Sequence, residues 1–385
     1  MINRELIRIK VVQLTYAYYQ NGNKQMDSAE AELQYSLTRA YDLYNYLLSL
    51  IVAVTREERR RVEVATQRAL REGADTPSQK FAYNRFAVQL EENKMLQDFL
   101  TNPQKSSWRD SLETSSPQRG DTQGTGFAAW EDSVNDLVRS LCNRIESSQV
   151  YAEYMADTEE SYDADRELWR KLYRLFIQEN EDIEALLEDM GVYWNDDKFV
   201  VDTFVLKTIK RFDPDNEAKQ ELLPEYKDRE DEEFAKRLFR ATIINADQYQ
   251  RYMRETSRNW EFSRLAYMDV VIMQIAIAEM LTFSNIPVSV TINEYVELAK
   301  LYSTPKSGSY INGMLDSIAR YLISTGKMLK TIEDIPMRRT GAKRQGTPRL
   351  NRANQTMESR EMMRSRYAEQ QQDDDTSMPE DDAVE

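Results

Sequence analysis

Histidine is absent from this 385-residue chain, and cysteine occurs once, as Cys142. Without histidine the sequence lacks the commonest metal ligand and the commonest general base at neutral pH. A lone cysteine excludes an intrachain disulfide and a multi-cysteine zinc site, and fits a reducing, cytoplasmic compartment. Glycine and proline are scarce too, eleven and ten residues, and turn signals at short regular spacing are missing, which argues against a sheet-rich fold. The most apolar run, 265–283, is interrupted by Asp269, Gln274 and Glu279, which hydrocarbon would penalise, so it reads as a buried core helix and no membrane is expected as a partner. The N-terminal MINRELIRIKVVQLTYAYYQ mixes charge through its first ten residues and reads as no secretory leader. No glycine loop that could cradle a phosphate is present. Carboxylate pairs such as Asp196 with Asp197 therefore make a poor case for a magnesium enzyme, and neither a cofactor nor a small-molecule substrate is expected.

What is there points to helices. Hydrophobic residues make up 41% of the chain, enough for a globular core. The spacing predicts helices over 2–20 and about 28–54, a third beginning near TREERRRVEVATQRALREG and capped at Gly73, and a fourth around 78–101. The stretch 101–126 concentrates Ser, Thr, Pro and Gly and reads as a loop. Helical patterns resume from Phe127 to about 190, return in KFVVDTFVLKTIKRF, and are dense from Glu232 to Tyr321. Beyond about 330 a basic segment precedes an acidic one, and neither can bury enough apolar surface to offset its ordering entropy; the tail is expected to be disordered. With 51 basic and 66 acidic residues the formal charge is -15, so any nucleic-acid site must be local.

Two short motifs stand out in INEYVELAKLYSTPKSGSYINGML, residues 292–315. Thr291 to Glu294 fits a capping box, with Val290 and Tyr295 placed for its hydrophobic staple. In the following helix Ile311, Leu315, Ile318 and Leu322 form one apolar stripe, with Met314 at its edge. Tyr310 and Asn312 flank that stripe, and Gly313 points away from it. A glycine inside a helix is unfavourable by about 1 kcal/mol relative to alanine, which suggests close approach there by a neighbouring helix or a ligand. Lys306, Ser307 and Ser309 precede the helix, where exposed amides could meet a phosphate. An aromatic, an asparagine and a lysine together suit single-stranded RNA.

The stretch RLAYMDVVIMQIAIAEMLTF followed by IPVSVTINEYVELAKLYSTPKSGSYINGMLDSIARYL resembles the C-terminal half of the NusB family of bacterial transcription antitermination factors, nearly continuously over 264–322. VVQLTYAYYQ is similar to that family's first helix. The resemblance implies an all-α fold of two small helical bundles, no catalysis, boxA-type single-stranded RNA as ligand, the ribosomal protein NusE as partner, and a place in the elongating RNA polymerase complex on ribosomal RNA operons. Carried over by position, the RNA surface comprises Arg4 and Arg8, Gln13 and Tyr16 of the first helix, and Tyr310 and Asn312 of the last. Lys306 stands where many relatives have an acid.

The domains expected on this basis are N-terminal core helices at 1–54, a helical insertion of unknown role at 55–225, a C-terminal bundle at 226–330, and the tail at 331–385. An alternative reading is a helical protein-interaction scaffold in which RNA binding has been lost. Its basic patch would be the run Arg59, Arg60 and Arg61, a pattern that is more commonly a solvated helix face.

Overall fold

The computed structural model describes residues 1–21, 25–101, 125–158, 160–190, 193–194, 196–257 and 265–331. The expected loop at 101–126 lies outside them except at its ends, as does the tail from 332 on. Among the described residues there is no strand, only a bridge between Ile2 and Tyr226, and the fold is all-α.

In chain order the α-helices are α1 (Arg4–Gln20), α2 (Met26–Glu72), α3 (Arg85–Glu92), α4 (Lys94–Thr101), α5 (Thr125–Glu146), α6 (Gln149–Ala156), α7 (Tyr162–Tyr173), α8 (Glu181–Met190), α9 (Lys198–Arg211), α10 (Arg229–Ile244), α11 (Ala246–Thr256), α12 (Tyr267–Thr282), α13 (Val288–Tyr302) and α14 (Ser307–Ser324). The two helices expected on either side of residue 55 are one. No glycine or proline interrupts 26–72, and Thr55, where the break was expected, sits inside the helix with its hydroxyl donating to the Ile51 carbonyl at 3.0 Å. Gly73 ends α2 with φ 68°, and the Ala74 amide reaches back to the Ala69 carbonyl, as a left-handed C-cap requires. The helix expected over 78–101 is broken at Asn93, whose side chain accepts from the Met95 and Leu96 amides and so starts α4 afresh.

The chain divides into two compact units. One comprises Met1–Ile2 and Ser36–Lys227, the other Asn3–Tyr35 and the residues from Asp228 on. The first unit is built around buried aromatics, among them Trp169 stacked on Phe81 and Phe86 edge-on to Phe212. A buried amine holds part of it together: Lys198 Nζ donates to Asp202 and to the Ile177 carbonyl, each at 2.9 Å, while the Tyr173 hydroxyl donates to the other Asp202 oxygen.

The second unit is organised by α12, buried without a break from Val271 to Met280. The three polar residues that made this run unfit for a membrane are its ties to the surrounding helices. Asp269 accepts from Ser303, Gln274 donates to the Tyr19 hydroxyl and the Thr242 carbonyl, and Glu279 accepts from Arg8, Thr291 and Tyr295. A polar group inside a core is tolerated when its bonds are satisfied there. Against α12 lies the expected stripe of α14, with Ile311, Leu315, Ile318 and Leu322 all fully buried.

Candidate nucleic-acid interface

Thr291 and Glu294 do not form the expected capping box. Helix α13 already begins at Val288 after Pro287, so Thr291 lies inside it. Its hydroxyl donates to Glu279 at 2.9 Å, and Glu294 turns instead to Arg8 at 3.3 Å. The staple is absent as well: Val290 is exposed, while Tyr295 is fully buried and donates its hydroxyl to Glu279 at 2.9 Å. A buried carboxylate needs donors, and this requirement outweighs a local cap that solvent can replace.

The same carboxylate decides the position of Arg8, which is 5% exposed. Its Nε and Nη2 meet the two Glu279 oxygens at 2.8 and 3.0 Å, a bidentate pair sealed inside the unit. Burial alone would ease the proton off Arg8, but the hydrogen bonds and charge of Glu279 outweigh it and hold the guanidinium above its ordinary range. Arg8, expected from the sequence on the RNA surface, is a structural tie with little of its side chain exposed. Arg4, one turn earlier, keeps some exposure but is held by Glu230 at 2.6 Å and Asp231 at 3.1 Å, with its guanidinium over the Phe234 ring.

Gln13 and Tyr16 lie toward the other end of α1. Tyr16, 38% exposed, packs edge-on to Tyr267 with ring centroids 5.7 Å apart, and Tyr19 approaches the same ring at 6.5 Å. Gln13 donates to the Tyr302 hydroxyl at 3.1 Å. Tyr267 and Asp269 open α12, the Asp269 carboxylate accepts from Ser303 at the end of α13, and Tyr310 of α14 is half-buried. Lys306 and Asn312 are exposed on either side of Tyr310 along the chain. Burial, with Asp269 as a second cause, raises the Tyr310 hydroxyl above its usual pKa, so it remains a neutral donor at physiological pH. Partly exposed rings, an amide and a lysine can stack on bases, read their edges and hold a phosphate.

Gly313 is not a point of close helix packing: a Cβ there would meet nothing within 4 Å. Close packing occurs instead at Gly308, where a Cβ would come 3.2 Å from Lys300 Cγ. Sequence reasoning also passed over Tyr19, Tyr267, Tyr302 and Ser303. The spacing of Tyr16 and Tyr19 on one helix could have pointed to the first pair, whereas Tyr267 joins them only through folding. The alternative basic patch is neutralised within the chain: Arg59 pairs with Glu91, Arg60 with Glu57, and Arg61 with Glu57 and Glu146. Among the described residues no cluster of three or more His, Cys, Asp or Glu could hold a metal, and no helix is long and apolar enough to cross a membrane.

Comparison with known proteins finds the family model "NusB family" over residues 199–320. The match begins inside the stretch expected to be an insertion. The chain is similar to the transcription antitermination protein NusB of Salinibacter ruber, 34% identical over 122 residues that cover 30% of this chain and 76% of the relative. The protein of the same name from Dictyoglomus turgidum is 38% identical over 102 residues, 26% of this chain and 71% of the relative. That of Natranaerobius thermophilus is 46% identical over 81 residues, 21% and 58% respectively. No solved structure matches the chain.

Proposed function

The chain belongs to the NusB family, whose members are non-enzymatic transcription antitermination factors, and from that premise we propose that its tyrosine-rich surface binds single-stranded RNA of the boxA type, jointly with NusE. The observation that carries this reading is the packing of Tyr16 on Tyr267 at the first turn of α12 and the bond from Gln13 to Tyr302 at the end of α13, next to the Ser303 that Asp269 holds, with Lys306 and Asn312 exposed before and on α14. Rings that are partly buried have lost their rotamer freedom before a base arrives, which favours stacking. The mechanism is assembly: the bases lie over the rings, the phosphates face Lys306, and a basic partner supplies the charge that this acidic chain lacks. The cytoplasmic transcription complex of a bacterium is the setting this implies.

The test is a titration of the full chain with a boxA oligonucleotide and a scrambled strand, with and without NusE, at two salt concentrations. Preferential binding of boxA that tightens with NusE is expected. Equal binding of the two strands in every condition would sink the reading.

A specific observation favours a second reading, the protein-interaction scaffold. Arg4, Arg8, Arg59, Arg60 and Arg61 are all committed to carboxylates of this chain. Under that reading NusE binds and boxA RNA adds nothing, which the same titration reads directly.

A further inference from the structure

One buried carboxylate anchors the turn between α13 and α14. Asp269, in the first turn of α12, is 5% exposed, and its Oδ1 accepts the Ser303 hydroxyl at 2.6 Å. Ser303 Oγ accepts in turn from Ser307 Oγ at 3.1 Å. The Ser307 oxygen also lies 2.8 Å from the Thr304 hydroxyl and accepts the Thr304 amide at 3.2 Å. Asp269, Ser303, Ser307 and Thr304 thus form a continuous hydrogen-bonded chain across STPKS, with Pro305 fixing one backbone angle inside it. The fit of Gly308 against Lys300 seats the first turn of α14 on α13. Lys306, the residue before α14, is exposed.

Hydrogen bonds to a buried acceptor depend steeply on geometry and are costly to leave unmade, so they fix an orientation that apolar contacts leave loose. Tyr267 opens the same helix two residues before Asp269, and Tyr310 lies on α14 one turn after Lys306, which precedes that helix. We propose that Asp269 is a positioning residue for the tyrosine-rich surface: through Ser303 and Ser307 it sets the turn that leads into α14 and presents Lys306 and Tyr310. The proposal rests on the RNA-binding reading of that surface, and Asp269 itself touches no RNA.

The test uses the full chain and four variants. Ser303→Ala removes the link without changing charge, and Asp269→Asn keeps an acceptor for the Ser303 hydroxyl. Tyr310→Ala removes the presented ring, and the double variant combines it with Ser303→Ala. Ser303→Ala is expected to weaken boxA binding about three- to tenfold, with Asp269→Asn within about twofold of wild type. In the Tyr310→Ala background, Ser303→Ala should add nothing further, because it acts through that ring. Without RNA, amide hydrogen exchange over 303–310 should be faster in Ser303→Ala than in wild type. The proposal is overturned if Tyr310→Ala weakens binding and Ser303→Ala does not, or if Ser303→Ala weakens it equally in both backgrounds. If wild type shows no boxA preference, the RNA reading fails separately, and the exchange measurement decides the turn: unchanged exchange in Ser303→Ala overturns its anchoring by Asp269.

Discussion

Arg8 and Glu279 face each other inside the second unit, Nε to Oε2 at 2.8 Å and Nη2 to Oε1 at 3.0 Å, and Glu279 is fully buried. The pair joins the first helix of the unit to its central helix, across 271 residues of sequence. Thr291 and Tyr295 complete the shell around the carboxylate, so each partner's removal leaves the others with a stranded charge or donor.

Arg8→Gln should therefore act on stability. Breaking one side of a buried, hydrogen-bonded pair costs about 3 to 5 kcal/mol. Urea denaturation is expected to show a loss of that order, while the salt dependence of RNA affinity, measured where the variant is still folded, should match wild type. A shallower salt slope with unchanged stability would return Arg8 to the surface.

Tyr16→Ala and Tyr310→Ala should each weaken binding of a boxA strand by about 1 to 3 kcal/mol, the usual range for a stacking ring. Both side chains are partly exposed, so circular dichroism should report intact helices. Leu315→Ala, on the fully buried stripe of the same helix as Tyr310, should instead cost about 2 to 5 kcal/mol of stability. Equal RNA affinity in wild type and both tyrosine variants would make these rings core-edge aromatics only.

Gly313→Ala should stabilise the protein by up to about 1 kcal/mol, since the site is open and the helix gains a better former. Gly308→Ala should not, because Lys300 must give way. If Gly313→Ala raised the melting temperature yet lowered RNA affinity, the open glycine would mark where the ligand approaches the backbone.

The first unit should lose stability as pH rises toward neutrality. Burial, followed by the hydrogen bond and charge of Glu146, pushes the Glu58 carboxyl up to about 7, while Tyr151 and Arg61 oppose this. In the unfolded chain it titrates near 4.5, so the folded state binds the proton more tightly. Its contribution is complete below about pH 4.5 and is lost as pH rises through about 7, with a slope of at most roughly 1.4 kcal/mol per pH unit. Glu58→Gln should remove this part of the slope. Denaturation of wild type and variant at pH 5 and pH 8 measures it, and parallel losses in the two proteins would assign the slope to other groups.

The helical class, the buried core helix within 265–283, the apolar stripe of α14, the glycine cap of α2 and the family were all legible in the linear order of residues. Each depends on periodicity or on neighbours within a few positions, which a sequence carries directly. Tertiary structure decided the partners of the polar residues. Nothing local distinguishes Arg8 from Arg4, yet one seals a buried carboxylate and the other lies near the surface, because only folding brings Glu279 within reach. The same need to satisfy Glu279 drew Thr291 and Tyr295 inward and overrode the expected cap. Whether Tyr267 joins Tyr16, and whether Asp269 meets Ser303, was likewise settled by helix packing, since a core tolerates a buried charge only where distant donors converge on it.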